Sequence, residues 1–404
     1  MAPGSAFAGL FWHFDKRRDS MSSSKTATRI AFLVSNFRQG RGGVPEAVRL
    51  MAQVMLEDDC VSDVVIGGRV FGNVGTFPRL PGSHDDAVAK KIDYSSYDFI
   101  IVVGPWQSPF GIAKALFCGR GLSRFIYVPK GGLARIEFSR SRDLKKIPYL
   151  YLVEVLWLLL AHRIVFSSKL EMNSLYLPIS LFRSKCTIIP DLFLPSWPSI
   201  ERPEAKRIRF SFLAEIHPRK GLEEVMYGFH DWVVKNKLMS KVVFRVGGQP
   251  RPGSQNYCNR VKQFVESTPL NECVEFVGPV AHEERIRFYA DSDVFFATSQ
   301  FESYCLTVLE ALHSGCMVLA GPNLGVLEYV GHHHNLLTLS DLSRGAIAEG
   351  LERISERLDK HEACGDPSGN EPDSVEVSQL VNSIAVQRWR DLLELRNADE
   401  YKTV

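Results

Sequence analysis

The feature that most constrains the fold is an alternation, along most of the chain, of short apolar runs with longer stretches of helical period. Such an alternation predicts βα units and parallel sheets. The runs form two series, which predict two doubly wound Rossmann-like α/β domains in tandem. The first series contains RIAFLV from 29, DVVIG from 63, DFIIVVG from 98, RFIYVP from 124, RIVFSS from 163 and CTIIP from 186. The second contains RFSFLA from 209, KVVFRVG from 241, CVEFVG from 273, DVFFATS from 293 and CMVLAG from 316.

The segment between the two series, DLFLPSWPSIERPEAK, has the prolines and polar flanks of an interdomain linker. A chain of 404 residues is also too long for one core of ordinary size. We predict a loose tail over 1–25, a first domain over 26–200, a second over 205–360, a loop over 361–373 and a helix with a tail over 374–404. The apolar face of this last helix must pack against another surface, so we expect the helix to cross back onto the first domain. Its apolar positions include Leu380, Ile384, Trp389 and Leu393.

The eight cysteines include no C-x-x-C pair, which argues against a zinc ribbon or a disulfide framework and for a reducing, cytoplasmic compartment. Near the amino terminus, the apolar run AFAGLFWHF has its positive charges after it, which is the reverse of a secretory signal. Translation from either Met1 or Met21 fits this pattern.

Charge is distributed unevenly, although the net charge is only +2. Residues 101–190 contain 13 basic and 4 acidic side chains, an excess of +9. This excess fits a solvated basic surface and equally an anionic partner, because charge distribution bears on partners and not on fold. The candidate residues for the acceptor or membrane side are Lys130, Arg135, Arg140, Arg142, Lys145 and Lys146.

The apolar segment IPYLYLVEVLWLLLA, over 147–161, follows these cations. It is about 15 residues long, whereas a bilayer span needs about 20. A core helix is one interpretation. A helix that lies at the surface of an anionic membrane is the other.

Glycine-rich loops follow the predicted strands at the edge where open α/β sheets bind ligands. The first, NFRQGRGGVPEAV, contains Gly42 and Gly43, but it lacks the full dinucleotide fingerprint and fits a plain tight turn as well. EIHPRKG places Arg219 and Lys220 before a helix, where a cation and the helix dipole suit a phosphate. FRVGGQP adds a glycine pair, Gly247 and Gly248.

Two glutamates in FESYCLTVLEAL, Glu302 and Glu310, are separated by seven residues. Glu302 precedes a predicted helix and Glu310 lies nearly two turns inside it, about 12 Å apart along the axis. This span suits a nucleotide sugar, with Glu302 at the sugar and Glu310 at the ribose. The alternative is a structural helix with one solvated glutamate and one that the helix dipole favours.

These motifs together resemble the family 4 retaining glycosyltransferases of the GT-B fold, over nearly the whole chain from about residue 29. The E-x7-E segment resembles the family's donor site, EIHPRKG its phosphate loop and GGVPEAV its first glycine loop. VPKGGLARIEF and FSSKLEMNSL resemble its proline-basic-glycine loop and S-x-x-E segment, and VEFVGPVAHEERIRFYADSD its base-binding strand with the approach to the E-x7-E. The resemblance implies two Rossmann-like domains that face a cleft.

The resemblance further implies that Lys220 binds the donor phosphate, that Glu302 contacts the transferred sugar and that Glu310 binds the ribose; Glu302 and Lys220 would be catalytic. The implied donor-binding residues are Gly42, Gly43, Arg219, Lys220, Gly247, Gly248, Val280, Ser303, Tyr304, Cys305, Leu306 and Glu310. Two departures stand out. Ala214 and Glu215 occupy the positions of a usual arginine, so either Arg219 replaces it or donor affinity is weaker. Cys305 occupies the position of a usual glycine.

The implied activity is transfer of a hexose-type sugar, with retention, from a GDP- or UDP-sugar to a glycan acceptor, in cell-surface polysaccharide or glycolipid assembly. We expect no metal and no cofactor, no nucleic acid partner, and a lipid-linked acceptor at the inner face of a membrane. The three adjacent histidines at 332–334 do not converge on one point, so we expect no metal site there. The alternative is a nucleotide-sugar binding subunit of the same fold without catalysis.

Overall fold

A computed structural model describes residues 28–34, 47–52, 55, 61–66, 69–73, 90–91, 94–106, 125–138, 146–193, 206–364 and 372–394. The first domain is built on an eight-stranded sheet in the order β4-β3-β2-β1-β5-β6-β7-β8. Its strands are β1 (Arg29–Val34), β2 (Val61–Ile66), β3 (Arg69–Asn73), β4 (Lys90–Lys91), β5 (Phe99–Val103), β6 (Phe125–Val128), β7 (Arg163–Phe166) and β8 (Cys186–Ile188). All six predicted strands are present and parallel, whereas β3 and β4 are antiparallel additions that the apolar pattern did not predict.

The second domain is built on a six-stranded parallel sheet in the order β11-β10-β9-β12-β13-β14. Its strands are β9 (Ile208–Leu213), β10 (Val242–Gly247), β11 (Val274–Gly278), β12 (Val294–Ala297), β13 (Met317–Ala320) and β14 (Leu336–Thr338). Five of them match the second predicted series. The short β14 was missed, because three residues carry too little pattern.

Helices connect the strands on both faces of each sheet. In the first domain, α1 (Ile147–Tyr149) continues through a π-helical turn (Leu150–Glu154) into α2 (Val155–Leu160), and α3 (Lys169–Asn173) follows β7. The others are α4 (Leu222–Asn236), α5 (Gln255–Glu266), α6 (His282–Ala290), α7 (Leu306–His313), α8 (Leu327–Val330), α9 (Arg344–Cys364) and α10 (Pro372–Glu394).

Both faces of the central strands are buried, as expected for parallel sheets covered by helices. In β1, Ile30 and Phe32 belong to the core on one face of the first sheet, and Ala31 and Leu33 to the core on the other face. In the second domain, Phe296 and Phe295 of β12 divide between two cores in the same way. A strand of nearly continuous apolar residues therefore supplies two cores at once.

Helix α10 crosses between the domains. Val381, in the first half of the helix, packs in a core of the second domain with residues of α7. Ala385, Trp389 and Leu392 pack in the first-domain core beside β1 and β5. The predicted crossing is therefore confirmed, and one helix buries apolar side chains in both domains.

The structure differs from two details of the prediction at this end of the chain. Helix α9 continues to Cys364, into the predicted loop over 361–373, and α10 begins at Pro372. Proline is compatible with the first turn of a helix, because it needs no N–H partner there. Leu380 is also not covered: it is 58% exposed, because Val381 occupies the inward position.

We predict that Trp389→Ala lowers the free energy of unfolding by about 3–5 kcal/mol, because it empties a packed site. Trp389 is 4% exposed. Leu380→Ala, on the exposed side of the same helix, should change stability by less than about 0.5 kcal/mol. Urea unfolding monitored by circular dichroism measures both. Equal losses for the two variants would contradict the crossing contact.

Candidate functional site

The candidate site lies at the carboxyl ends of β9 and β12. These strands are neighbours in the second sheet, although β10 and β11 lie on the other side of β9. Such a reversal of strand order opens a crevice in which α/β proteins bind ligands. The loop after β9 contains Lys220, and the loop after β12 contains Glu302.

The lysine loop is a 3₁₀ turn (Pro218–Lys220) that ends at Gly221 in the left-handed conformation, with φ +71°. A Cβ at Gly221 would lie 2.4 Å from the carbonyl oxygen of Thr298, so only glycine fits this close approach. The Thr298 hydroxyl donates to the Lys220 carbonyl at 3.2 Å, and the Gln300 amide donates to the Arg219 carbonyl at 2.8 Å. The loop is thereby held against the end of β12.

Lys220 and Glu302 form an ion pair between their Nζ and Oε1 atoms. Burial opposes the charged form of each group, but the charge of the partner outweighs burial. The pKa of Lys220 is consequently raised and that of Glu302 lowered. Both groups are charged at neutral pH, so the crevice holds one cation and one carboxylate in contact.

Helix α7 begins directly after the loop that contains Glu302, and the residue that precedes the helix has a strained backbone. Cys305, which occupies the position of the family's usual glycine, has φ +94°. A residue with a side chain seldom adopts this conformation, so the usual glycine there has a conformational reason that residue size alone did not indicate. Burial raises the pKa of the Cys305 thiol to about 12, so the thiol is neutral.

Glu310 lies within α7 with its carboxylate almost fully buried. Its Oε2 accepts a hydrogen bond of 2.7 Å from the Tyr289 hydroxyl, and its Oε1 lies 3.9 Å from Nη1 of Arg285. Tyr289 and Arg285 are one turn apart on α6 and were not predicted as site residues. Their four-residue spacing in RIRFY is the signal that could have indicated them.

The predicted glycine pair has a packing role in this structure. Gly248 has φ +131°, and a Cβ there would lie 1.8 Å from the Ala214 carbonyl oxygen. Its amide donates to the Gly278 carbonyl at 2.7 Å, and the Gly247 carbonyl accepts from the Ala214 amide at 3.2 Å. The Gly248 N–H is therefore committed to the backbone. Val280 lies beside Gly247, within 3.0 Å of the position that a Cβ would take.

The positions that depart from the family pattern have partners of their own. Arg219, the expected substitute for the missing arginine, pairs its guanidinium with Glu137 of the first domain. The Glu215 carboxylate lies 3.8 Å from Nε of Arg251, which comes from the loop after β10. Arg219 and Arg251 are therefore each paired with a glutamate, and neither occupies the position of the usual arginine.

The first domain contacts the loop between β12 and α7, residues 298–305, at Ser303. We call this loop the donor loop. The Ser168 hydroxyl donates to the Ser303 carbonyl at 2.8 Å, and a Cβ at Gly131 would lie 3.2 Å from the Ser303 Cβ. Tyr304 points away into the core, where its ring packs on Tyr329 with centroids 5.8 Å apart. Leu306 packs against the same core. Ser303 therefore contacts the first domain through both its carbonyl and its side chain.

A buried carboxylate, that of Glu171, holds the first-domain loop in place, although Glu171 was not among the predicted site residues. Glu171 accepts hydrogen bonds from the Gly131 amide and, at 2.7 Å, from the Ser167 amide. Burial raises the pKa of Glu171 to about 7, although these N–H groups and Lys130 oppose the shift. The S-x-x-E spacing places Glu171 at the third helical position after the Ser168 cap, from which its carboxylate reaches back to the loop.

Of the predicted basic residues, the structure describes Lys130, Arg135 and Lys146, and these three differ in their exposure. Lys130 is buried, with 6% of its side chain exposed, and pairs with Asp191, so it cannot meet a headgroup as an exposed cation. Arg135 is exposed, and the Lys146 ammonium lies 5.8 Å from the centroid of the Trp106 ring. The other predicted positions lie outside the described residues: Gly42, Gly43, Arg140, Arg142 and Lys145.

A cavity of about 910 Å³ lies elsewhere, among residues of β7, β8, α3, α8 and α10. Its lining includes Arg163, Arg183 and Arg388 but none of the predicted donor residues. In the described ranges no cluster of three His, Cys, Asp or Glu side chains suits a metal ion. No helix in those ranges is long and apolar enough to cross a membrane.

Comparison with known proteins identifies the second domain. Residues 196–368 match the family described as "Glycosyl transferases group 1". Alpha-monoglucosyldiacylglycerol synthase of Streptococcus pneumoniae is 28% identical over 160 residues, which are 35% of this chain and 34% of that protein. Mannosylfructose-phosphate synthase of Agrobacterium fabrum is 25% identical over 139 residues, 32% and 30% of the two chains. The chain thus spans about a third of the length of these relatives.

Solved structures match the fold over nearly the whole chain. Anabaena Alr3699/HepE, in complex with UDP and glucose, superposes with a TM-score of 0.59 at 16% identity, over 93% of this chain and 100% of that one. Sucrose-phosphate synthase of Thermosynechococcus elongatus gives 0.60 at 15% identity, over 93% and 98%. The predicted GT-B fold is confirmed, and the part of the chain over residues 196–368 is similar to the group 1 glycosyltransferases.

Proposed function

We propose that this chain is a retaining glycosyltransferase that works without a metal ion. It moves a hexose-type sugar from a GDP- or UDP-sugar to a glycan acceptor that is lipid-linked, in the assembly of cell-surface polysaccharide or glycolipid. The enzyme would act in the cytoplasm, peripherally at the inner face of the membrane. One solved structure of this fold contains UDP and glucose, which supports a nucleotide-sugar donor.

The observation that carries this proposal is the pairing of Lys220 with Glu302 in the crevice between β9 and β12. A nucleotide sugar offers each partner a new contact. The diphosphate would replace the carboxylate beside Lys220, at the start of α4, and the sugar hydroxyls would replace the ammonium beside Glu302. Because α7 starts four residues beyond Glu302, its amino terminus also favours the diphosphate.

The reaction breaks the bond between the anomeric carbon and the diphosphate oxygen and forms a bond from that carbon to an acceptor hydroxyl oxygen on the same face. The hydroxyl proton passes to the departing phosphate oxygen. Negative charge grows on this oxygen as the bond breaks, so a fixed cation there lowers the barrier. Lys220 has this role, and Glu302 orients the sugar. Glu310, held by Tyr289, is the proposed ribose ligand.

A second candidate is a nucleotide-sugar binding subunit that does not transfer. One observation favours it: the arginine that the family usually places before the lysine is absent, and Arg219 is bound to Glu137 instead. The donor phosphate would then meet one fixed cation fewer. Catalysis would suffer more than binding, since the missing charge matters most as the phosphate leaves.

We predict that three substitutions in the site impair turnover, donor binding and transfer to different extents. Lys220→Ala should lower turnover about 100- to 1000-fold and donor affinity by less, because its charge is needed most in the transition state. Glu310→Gln should weaken donor binding about tenfold or more, since it removes a charged acceptor while preserving shape. Glu302→Gln should reduce transfer with little effect on binding of the free nucleoside diphosphate. Calorimetry and single-turnover transfer measure these effects.

The matched control is Lys235→Ala, because Lys235 is an exposed lysine in a surface ion pair with Glu352 on the same domain. It should change neither quantity. If the wild-type protein binds a nucleotide sugar but neither transfers nor hydrolyses it, and Lys220→Ala alters affinity alone, the binding-subunit function is correct instead.

An exposed apolar surface supports the membrane part of the proposal. Along the segment from α1 to α2, Leu152 is 75% exposed, and Tyr151, Leu156 and Leu159 are also exposed. Their spacing places them on one side of the segment. A half-buried cation lies close by, since Lys185 donates to the Leu159 carbonyl. Exposed leucines beside a cation suit the surface of an anionic bilayer. One relative is named for the synthesis of a monoglucosyldiacylglycerol, a glycolipid.

We predict that the protein sediments with vesicles that contain anionic phospholipid and that added salt weakens the binding. The double variant Leu152→Asp, Leu156→Asp should reduce binding at least tenfold, because each inserted leucine contributes on the order of 1.5 kcal/mol. The control is Leu380→Asp, an exposed leucine on α10. Equal binding to neutral and anionic vesicles, or equal binding by the double variant, would contradict the surface.

A further inference from the structure

Trp106 occupies an unusual position at the carboxyl end of β5. The chain turns through Gly104, with φ +81°, and Pro105 into Trp106, which has φ +65°. A bulky residue seldom adopts this left-handed backbone unless the surroundings hold it there. Strain of this kind concentrates at functional sites.

A buried carboxylate holds the backbone of Trp106. Glu154, only 1% exposed, accepts a hydrogen bond of 2.7 Å from the Trp106 amide and another from the Tyr127 hydroxyl. Neither donor is charged, and burial raises the pKa of Glu154. Glu154 also ends the π-helical turn (Leu150–Glu154), a rare element that is frequent at functional sites. Glu154 and the π-helical turn that contains it therefore both help to hold the Trp106 amide in place.

The Trp106 ring belongs to a cluster of aromatic side chains. Its centroid lies 5.9 Å from that of Phe138 and 5.8 Å from that of Tyr149, and Phe138 in turn packs on Tyr176 at 4.4 Å. The Lys146 ammonium lies 5.8 Å from the Trp106 centroid. Trp106 is half-buried, so its neighbours fix the ring while part of it stays accessible.

This cluster lies close to the donor loop. Strands β1 and β5 form the point at which the strand order of the first sheet reverses, the counterpart of the β9–β12 crevice. A Cβ at Gly132 would lie 2.4 Å from the Pro105 Cγ, so the Trp106 turn packs on the loop that meets Ser303. Glu137, beside Phe138, pairs with Arg219. A single loop, which contains Gly132, therefore lies between Trp106 and Ser303, and Ser303 is adjacent to Glu302, the proposed sugar contact.

We propose that Trp106 binds a sugar ring of the acceptor by stacking, that Lys146 contacts a phosphate attached to that sugar, and that Glu154 is the positioning residue for Trp106. This proposal rests on the glycosyltransferase function proposed above and adds the acceptor subsite. The acceptor class is a glycosyl phosphate or diphosphate in which a pyranose lies next to the phosphorus.

The chemistry of both groups fits this ligand. The face of a pyranose that carries C–H bonds is apolar and slightly positive, and the face of an indole is apolar and negative. A cation over the ring uses the same face, so the Lys146 ammonium marks where positive charge is favourable. When a sugar takes the indole face, the ammonium stays within reach of a phosphate on that sugar.

Ligand-observed NMR tests the stacking with three probes: octyl glucoside, octyl phosphate and glucose 1-phosphate. We expect the sugar C–H resonances of glucose 1-phosphate and octyl glucoside to move upfield on binding, because an indole face shields the protons above it. Trp106→Ala should abolish the upfield shift and weaken binding at least tenfold, and Trp106→Phe should restore part of both. Trp157→Phe, a buried tryptophan of α2, is the matched control and should bind as wild type does.

The charged part is tested by Lys146→Ala. It should weaken binding of glucose 1-phosphate about tenfold and leave octyl glucoside within twofold. Octyl phosphate should bind more weakly than glucose 1-phosphate, since it has no ring to stack. If octyl phosphate binds as well as glucose 1-phosphate and Trp106→Ala affects neither, the surface holds a phosphate or an alkyl chain and the stacking proposal is wrong.

The positioning role is tested by Glu154→Gln, which keeps an acceptor for the Trp106 amide but no charge. We expect the KM for acceptor to rise about three- to tenfold while kcat and the donor Kd change by less than twofold. A general folding defect would lower kcat and donor affinity together and would overturn this role. Wild-type protein that binds no nucleotide sugar refutes the proposed function, whereas an active enzyme whose Trp106→Ala variant keeps its acceptor KM refutes the stacking proposal alone.

Discussion

The parallel pairing of β9 with β12 is the contact on which the site depends. It joins two loops that carry Lys220 and Glu302, which are 82 residues apart in the chain. The close approach of Gly221 to Thr298 then fixes the lysine loop to the end of β12. Because the strand pairing and the loop contact both constrain the same backbone, the Lys220 ammonium and the Glu302 carboxylate are held close together. The ion pair is a consequence of this backbone geometry.

Contacts between the domains complete the cleft. Arg219 pairs with Glu137, the Ser168 hydroxyl binds the Ser303 carbonyl, and Glu328 accepts hydrogen bonds from two amides at the start of α3, at 2.7 and 3.0 Å. Helix α10 adds apolar contacts to both domains. Polar contacts at the cleft and apolar contacts along α10 therefore join the two domains.

Backbone strain is concentrated at the same place. Among the described residues, those other than glycine that have positive φ are Trp106, Lys130, Cys305 and Lys237. The first three lie in loops at the carboxyl ends of strands that face the cleft, and each is held by a neighbour or a buried polar group. Lys237 ends α4, where a left-handed residue is an ordinary helix stop. The left-handed backbone of Lys237 only ends a helix, whereas the strained residues around the cleft shape a surface that would suit a ligand.

The sequence by itself determined the two series of parallel strands, the crossing helix and the loops that contain Lys220 and Glu302, because local periodicity and short motifs carry this information. It did not determine that Gly248 serves packing, that Lys130 is buried beside Asp191, or that Glu154 and Glu171 hold the cleft loops. Those facts depend on contacts between residues far apart in the chain, and no local pattern encodes which carbonyl or carboxylate will face a given amide. Only the tertiary structure decided them, since burial and hydrogen bonding are properties of the assembled cleft.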